Sequence, residues 1–182
     1  LCPLKGLDIL VDAFLILKKS GSHADLRLEI AGGMTEEDDQ FVKEQKEKIS
    51  NAGFSEFSNF RINIARKEKI NFLKRLSVFS VPSRYPEAFG LYVIEALAAG
   101  IPVAFPKTGA FPEIVEDTGG GIIYEVNNSS ALAETLDQML KEPKVSKKMG
   151  LFGREMILNK YSNEKLAQSL VDNILAPALA TS

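Results

Sequence analysis

The 182-residue sequence has very few of the residues from which disulfide scaffolds and zinc sites are built. It contains one cysteine, Cys2, and one histidine, His23. A single cysteine cannot form a disulfide within the chain, and one histidine cannot by itself provide a zinc site or a Cys–His catalytic pair. We therefore expect a reducing, cytoplasmic compartment.

The sequence also lacks an excess of positive charge. Lysine and arginine together number 22 against 24 aspartates and glutamates, so the formal net charge is -2. Proteins that bind the phosphate backbone of nucleic acids need a strongly basic surface. We therefore expect no nucleic-acid partner.

Long hydrophobic runs are missing as well. No apolar stretch approaches the roughly 18 to 20 residues that span a bilayer, and the N-terminus does not resemble a signal peptide. Hydrophobic residues make up 45% of the chain and charged residues 25%, as in ordinary globular domains. These features predict one soluble domain over residues 1–182, and the start at Leu1 in an apparent loop suggests a piece of a longer protein.

Short apolar segments alternate along the chain with longer amphipathic ones, a pattern typical of βαβ units. Helices are predicted at residues 7–20, 36–50, 67–76, 89–99, 111–115, 128–142, 144–160 and 162–176. Strands are predicted at residues 26–30, 60–64, 78–81, 101–105 and 122–124. The fold class predicted is α/β, a Rossmann-like doubly wound parallel sheet with C-terminal helices. Ligands bind such sheets at the carboxyl ends of the strands.

One carboxylate in the segment after the predicted strand at 78–81 requires a partner. Glu95 is the only charged residue between Leu91 and Pro106, on a helix predicted to be buried. Burying an unpaired carboxylate costs several kcal/mol. Its two oxygens could accept hydrogen bonds from the two hydroxyls of a ribose, or it could form a salt bridge with a lysine or arginine.

The beginning of the same helix favours an anion. Gly90 would allow a ligand to approach backbone N–H groups that have no partner within the helix. The positive end of the helix dipole acts in the same direction, so a diphosphate would fit here.

Several motifs resemble those of retaining glycosyltransferases of family 4, the glycosyl transferases group 1, which have the GT-B fold. The resemblance lies in a Pro-Ser pair, two glutamates with seven residues between them that include Phe-Gly-Leu, and a following Ala-Leu-Ala-x-Gly-x-Pro-Val stretch. Three further segments resemble motifs of that family: Lys5-Gly6-Leu7-Asp8, Ala31-Gly32-Gly33 and the segment from Thr108 to Val115. The C-terminal helices are also similar, so the resemblance covers nearly the whole chain.

The resemblance implies a domain that binds a nucleoside diphosphate sugar and gives individual residues a role. Glu87 would lie beside the donor sugar and Lys5 beside the phosphates, and these two are the expected catalytic residues. Glu95 would hold the ribose hydroxyls. The donor-binding residues implied in addition are Ala88, Phe89, Gly90, Leu91 and Gly32, with Gly90 and Leu91 providing N–H groups to the diphosphate.

The resemblance also implies partners that the chain does not contain. These are the N-terminal GT-B domain and an acceptor sugar or lipid-linked glycan. The family's first strand, and an arginine at its end, would precede Leu1. We therefore expect no turnover by this chain alone, no metal or other cofactor, and at most a peripheral contact with the inner face of a membrane.

Three other features have simpler interpretations. His23 is predicted to be an exposed loop residue, and the acidic run from Glu36 to Asp39 a solvated first turn of a helix. A loose basic cluster could meet anionic lipid headgroups, but a solvated face is the simpler prediction. Its members are Arg61, Arg66, Lys67, Lys69, Lys74 and Arg75.

Two other functions compete with sugar transfer. A nicotinamide-dependent oxidoreductase would need a Gly-x-Gly-x-x-Gly turn after the first strand, whereas Gly32-Gly33 follows a later strand and precedes four acidic residues. A non-catalytic nucleotide-binding or partner-binding module of the same fold is the second alternative.

Overall fold

A computed structural model of the chain describes residues 1–175 and has alternating helices and strands. The helices are α1 (Leu7–Ser20), α2 (Asp39–Asn51), α3 (Arg66–Leu73), α4 (Leu91–Ala98), α5 (Phe111–Thr118), α6 (Ser129–Lys141), α7 (Pro143–Lys160) and α8 (Asn163–Leu170). The strands are β1 (Leu28–Gly32), β2 (Ser58–Ile62), β3 (Val103–Pro106) and β4 (Gly121–Tyr124). Short 3-10 turns precede α1, α2 and β2, and a π-helical turn at Val171–Leu175 follows α8.

The strands form two separate parallel pairs. β1 pairs with β2 from Leu28 opposite Ser58 onward, and β3 pairs with β4 from Val103 opposite Gly121 onward. The predicted α/β class with parallel strands is therefore confirmed. In the described part of the chain, however, the single predicted sheet is present as two two-stranded sheets.

The strand predicted at residues 78–81 is reduced to one bridge between Phe79 and Val103. The N–H of Phe79 donates to the Pro102 carbonyl at 3.0 Å, and the Phe79 carbonyl accepts from the N–H of Ala104 at 2.9 Å. The strand prediction was wrong in extent, because a segment paired along one edge only makes few ladder hydrogen bonds.

Other boundaries differ from the prediction by a few residues. The helix predicted from residue 89 begins at Leu91, because Gly90 has a left-handed conformation and ends the preceding loop. The predicted turn at 111–115 is a full helix to Thr118. The last residue of the helix predicted at 162–176 lies outside the described residues.

Helix α1 connects the two sheets through opposite faces. One face packs Leu7, Val11 and Phe14 with the side chains of β1. The other face packs Ile9 and Ala13 with β3, β4 and α6. Each two-stranded sheet therefore has its own apolar cluster, and α1 contributes side chains to both clusters.

Helix α7 lies unusually close to neighbouring backbone through two glycines. A Cβ atom at Gly150 would lie 2.4 Å from the Gly100 carbonyl oxygen, and one at Gly153 would lie 2.8 Å from the Cα of Gly120. Only glycine permits these approaches, so the position of α7 along its own axis is fixed.

Candidate functional site

The site begins where the turn before α1 meets the loop after residue 81. Lys5 ends that turn, and Gly6, with φ +69°, starts α1. A Cβ atom at Gly6 would lie 2.1 Å from the Pro82 carbonyl oxygen. Glycine at this position therefore allows the turn that carries Lys5 to pack directly against the loop after residue 81.

Arg84 holds the two segments together. Its backbone N–H donates to the Leu4 carbonyl at 2.9 Å, and its guanidinium donates to both carboxylate oxygens of Asp8 at 2.8 and 2.6 Å. The Arg84 guanidinium keeps the pKa of the Asp8 carboxyl below its usual value, chiefly through these hydrogen bonds. Sequence reasoning did not identify this pair, although Asp8 and Arg84 both lie in motifs that carry the resemblance.

Lys5 and Glu87 form an ion pair at this junction. The Glu87 side chain is 18% exposed and that of Lys5 is 42% exposed, so the lysine has more freedom to move. Lys5 Nζ lies 5.5 Å from the ring centroid of Tyr92. The Tyr92 hydroxyl is buried, with no hydrogen-bond partner within the described part of the chain. Burial, helped by the Glu87 charge, raises its pKa above the usual range.

A third loop fixes the backbone of Glu87. The N–H of Ala110 donates to the Glu87 carbonyl at 2.9 Å. Gly109 has φ +54°, and a Cβ atom there would lie 2.5 Å from both the nitrogen and the oxygen of Glu87. The glycine of the Thr108–Val115 motif therefore positions the carboxylate of a different loop, which the sequence alone did not indicate.

The start of α4 has the features predicted from the sequence. Gly90 has φ +64°, and an added Cβ atom would lie 3.0 Å from the Phe111 ring. The first N–H groups of a helix have no partner within the helix. Ala88, Phe89 and Leu91 beside them are exposed, so this helix end is accessible to a ligand.

The environment of Glu95 differs from the prediction. Its side chain is 41% exposed rather than buried, because the outer face of α4 is open to a cavity. Lys69 Nζ on α3 lies 2.5 Å from Glu95 Oε1. The salt bridge left open by the sequence is therefore present, and the ribose contact remains a prediction.

One cavity of about 1290 Å³ joins several of these residues. Lys5, Gly32, Tyr92, Glu95 and Lys69 line it. The predicted site residues outside its lining are Glu87, Ala88, Phe89, Gly90 and Leu91. Of these, Glu87 reaches the cavity through its ion pair with Lys5. The structure thus brings Lys5, Gly32 and Glu95 to one space, with the loop and helix start beside it.

His23 lies in the predicted loop between α1 and β1, but its side chain is more buried than a surface role implies. Its side chain is 14% exposed, and Nε2 lies 2.7 Å from Asp137 Oδ1 because the loop after α1 contacts α6. The acidic run does form a solvated turn, in which Thr35 and Asp38 make a capping box. In the basic cluster, Arg61 pairs with Glu29.

Residues 1–175 contain neither a metal-binding cluster nor a membrane-spanning helix. No group of three or more His, Cys, Asp or Glu residues in that range could hold a metal ion. No helix in the same range is long and apolar enough to cross a membrane. The expectation that the site needs no metal ion stays a prediction.

Known proteins with similar sequences and folds are glycosyltransferases. A D-inositol 3-phosphate glycosyltransferase of Streptomyces avermitilis is 28% identical over 150 residues, covering 81% of this chain and 32% of the relative. The chain thus spans about a third of that relative's length. The crystal structure of a C-terminal domain of a Francisella tularensis glycosyl transferase group 1 family protein superposes with a TM-score of 0.79. It is 29% identical and covers 90% of this chain and 83% of that domain.

A ligand-bound structure has the same fold. Anabaena HepE in complex with UDP and glucose gives a TM-score of 0.79 at 22% identity, covering 94% of this chain and 46% of that protein. The model of the glycosyl transferases group 1 family matches residues 1–156. Since this match covers most of the sequence and the neighbours have the GT-B fold, the chain belongs to the glycosyl transferases group 1 family.

Proposed function

We propose that this chain is the donor-binding domain of a retaining glycosyltransferase. The parent enzyme transfers a sugar from a nucleoside diphosphate sugar to an acceptor hydroxyl. The observation that carries the proposal is the convergence of Lys5, Glu87, the start of α4 and Glu95 around one cleft. It lies where the carboxyl end of β1 and the loop after residue 81 meet, the usual ligand position in parallel sheets.

The diphosphate binds between Lys5 and the start of α4. The N–H groups of Gly90 and Leu91 and the positive end of the helix dipole attract the phosphates. The Lys5 ammonium follows the leaving diphosphate as negative charge develops, which stabilises the transition state electrostatically. Because these groups neutralise the diphosphate, the site needs no magnesium ion.

Glu87 lies beside the donor sugar. Its carboxylate accepts hydrogen bonds from sugar hydroxyls and favours positive charge at the anomeric carbon. Donor binding separates Lys5 from Glu87, and the greater exposure of the lysine makes it the partner that moves. The fixed Glu87 backbone keeps the carboxylate in place during that change.

Glu95 accepts hydrogen bonds from the two ribose hydroxyls. Its Oε1 faces Lys69 in the structure, and a carboxylate has about four lone-pair sites, so ribose and lysine can share it. Ala88, Phe89 and Gly32 complete the donor contacts.

The relatives support a nucleoside diphosphate sugar as donor, because the HepE structures contain UDP, glucose or UDP-glucose. The acceptor is a sugar or a lipid-linked glycan, and the N-terminal GT-B domain of the parent protein supplies the opposite wall of the cleft. This chain alone does not turn over donor.

Calorimetric titration with uridine, guanosine and adenosine diphosphates and their sugars tests the proposal. We expect weak binding of one nucleotide series, unchanged by EDTA or magnesium. Glu95→Gln is the test variant, and Glu155→Gln, an exposed glutamate on α7 outside the cavity, is the matched control. Absence of binding for every nucleotide would favour a non-catalytic partner-binding module, and strict magnesium dependence would contradict the neutralisation described above.

A further inference from the structure

The ring of Tyr92 is held in an aromatic cluster at the start of α4. Its centroid lies 6.4 Å from that of Phe79, 6.0 Å from that of Phe105 and 6.2 Å from that of Phe111. Aromatic pairs prefer such separations, and Phe105 and Phe111 are fully buried. Because the hydroxyl oxygen lies on the long axis of the ring, fixing the ring also fixes the oxygen.

The Tyr92 hydroxyl contributes nothing to this packing. It is buried, and it has no hydrogen-bond partner among residues 1–175. A buried hydroxyl without a partner destabilises a fold, because the hydrogen bonds that it makes to water in the unfolded chain are lost. Phenylalanine would fill the same place in the cluster without that cost. Tyrosine at this position therefore indicates that the hydroxyl finds a partner in another state of the protein.

The Glu87 carboxylate is the acceptor beside this hydroxyl. Burial and, to a smaller extent, the neighbouring Glu87 charge raise the pKa of Tyr92, so the hydroxyl stays protonated and can donate. Glu87 Oε1 accepts hydrogen bonds from Lys5 Nζ and, at 3.4 Å, from Ser83 Oγ. A carboxylate has about four acceptor positions, so it has room for a further donor. Lys5 and Tyr92 thus bring donors to the same carboxylate, and in this structure the lysine bonds it.

Lys5 is the partner that can leave this carboxylate. Its side chain is 42% exposed, against 18% for Glu87, and a lysine carries its charge on a flexible stem. A diphosphate in the proposed donor site attracts the ammonium and weakens its pairing with the carboxylate. Of the side-chain contacts to Glu87 within residues 1–175, only that of Ser83 would then remain, and at 3.4 Å it is weak. A largely buried carboxylate that loses its cation is unfavourable, so a replacement donor stabilises the bound state.

We propose that the Tyr92 hydroxyl replaces Lys5 as the hydrogen-bond donor to Glu87 when a diphosphate draws the lysine away. Tyr92 is then a positioning residue, since it holds the Glu87 carboxylate beside the donor sugar and does not itself contact the nucleotide. The inference rests on the proposed function, which supplies the diphosphate. Because the bound state has a hydrogen bond that the free state lacks, Tyr92 raises diphosphate affinity from a distance.

A double-mutant cycle of thermal unfolding tests the exchange without any ligand. Lys5→Met removes the ammonium and offers no donor in its place, so Tyr92 should bond Glu87 in this variant. In the wild-type background Tyr92→Phe should lower the melting temperature by less than about 1 °C, whereas in the Lys5→Met background it should lower it by at least about 3 °C. Tyr161→Phe is the matched control. The Tyr161 hydroxyl donates to Asp117 Oδ2 at 3.0 Å, so its loss should have the same effect in both backgrounds.

Calorimetric titration with uridine, guanosine and adenosine diphosphates, and with the three uncharged nucleosides, tests the exchange in the site. For the diphosphate that binds, Tyr92→Phe should lower the affinity at least about fivefold, because the bound state loses the replacement hydrogen bond. Affinity for the corresponding nucleoside should fall less than about twofold, since a nucleoside does not displace Lys5. In the Lys5→Met background diphosphate affinity should also fall less than about twofold, because the Tyr92–Glu87 bond is present there before and after binding. A purely structural role of the ring would not produce this cancellation.

Two results would overturn the proposal. One is an equal effect of Tyr92→Phe on the melting temperature in the two backgrounds, and the other is a loss of diphosphate affinity that persists after Lys5→Met. If no nucleotide binds, the proposed function fails, and the unfolding cycle still decides the exchange between Lys5 and Tyr92.

Discussion

Replacement of Glu95 by glutamine tests the proposed ribose contact most directly. Glutamine keeps the size of the side chain but removes the charge and one of the two accepting oxygens. Hydrogen bonds to a charged group contribute about 1.5 to 3 kcal/mol. Losing that amount corresponds to a roughly 10- to 100-fold weaker nucleotide affinity.

The same substitution should hardly change stability. The partners in the Glu95–Lys69 pair are 41% and 42% exposed. Ion pairs at such exposure contribute between about 0 and 1 kcal/mol. In a protein of this size that amount lowers the melting temperature by at most about 2 to 4 °C. A larger drop would mean that the carboxylate is a structural group rather than a ligand-binding one.

Lys69→Gln separates the ribose contact from the ion pair. It breaks the same pair but leaves the Glu95 carboxylate, so nucleotide affinity should change less than about threefold. Calorimetry and thermal unfolding of both variants, with a 2′,3′-dideoxy nucleotide as second ligand, provide the measurements. The dideoxy nucleotide should bind the wild type about as weakly as the natural nucleotide binds Glu95→Gln. Equal loss of affinity in the two variants would refute the ribose contact.

Three further predictions concern the loops that form the site. Gly109→Ala should destabilise the chain in urea unfolding by more than about 2 kcal/mol, because its Cβ would meet the Glu87 backbone. The control Gly21→Ala, at φ +74° with open space around it, should cost only about 1 kcal/mol, and equal costs would contradict the packing argument. Asp8→Asn should cost about 1 kcal/mol at pH 7. Since the folded pKa of Asp8 is lowered, this difference should shrink as the pH falls below about 4 and disappear below the folded pKa, and a constant difference would contradict the ion pair. Lys5→Gln should weaken binding of a nucleoside diphosphate but leave that of the uncharged nucleoside unchanged, and equal weakening of both would exclude a phosphate contact.

The periodicity of the sequence was sufficient to predict the α/β class and most elements. Residues such as Leu28 and Ile30 alternate as a strand requires, and the C-terminal helices have strong amphipathic patterns. The strand at 78–81 was predicted on the same grounds but has only one bridge. Hydrophobic pattern indicates the intrinsic preference of a segment, whereas a strand also needs partners on its edges, which a local pattern does not contain.

The candidate site was predictable where it depends on a local motif. The position of Gly90 at the start of a helix follows from neighbouring residues, and in the structure Gly90 directly precedes α4, with a left-handed conformation that was not predicted. The pairing of Glu95 with Lys69 and of His23 with Asp137 was not predictable, because it depends on how separate helices and loops pack. The functional roles of the site residues stay predictions.

The close fit of α7 has a mechanical consequence for the site. Because Gly150 and Gly153 leave no room for a Cβ atom against neighbouring backbone, α7 cannot slide along its axis without a clash. Tyr161, just beyond the end of α7, lies with its ring centroid 6.4 Å from that of Phe89, in the loop that leads into α4. A displacement of α7 would therefore also displace Tyr161 and change its contact with the loop that leads into α4.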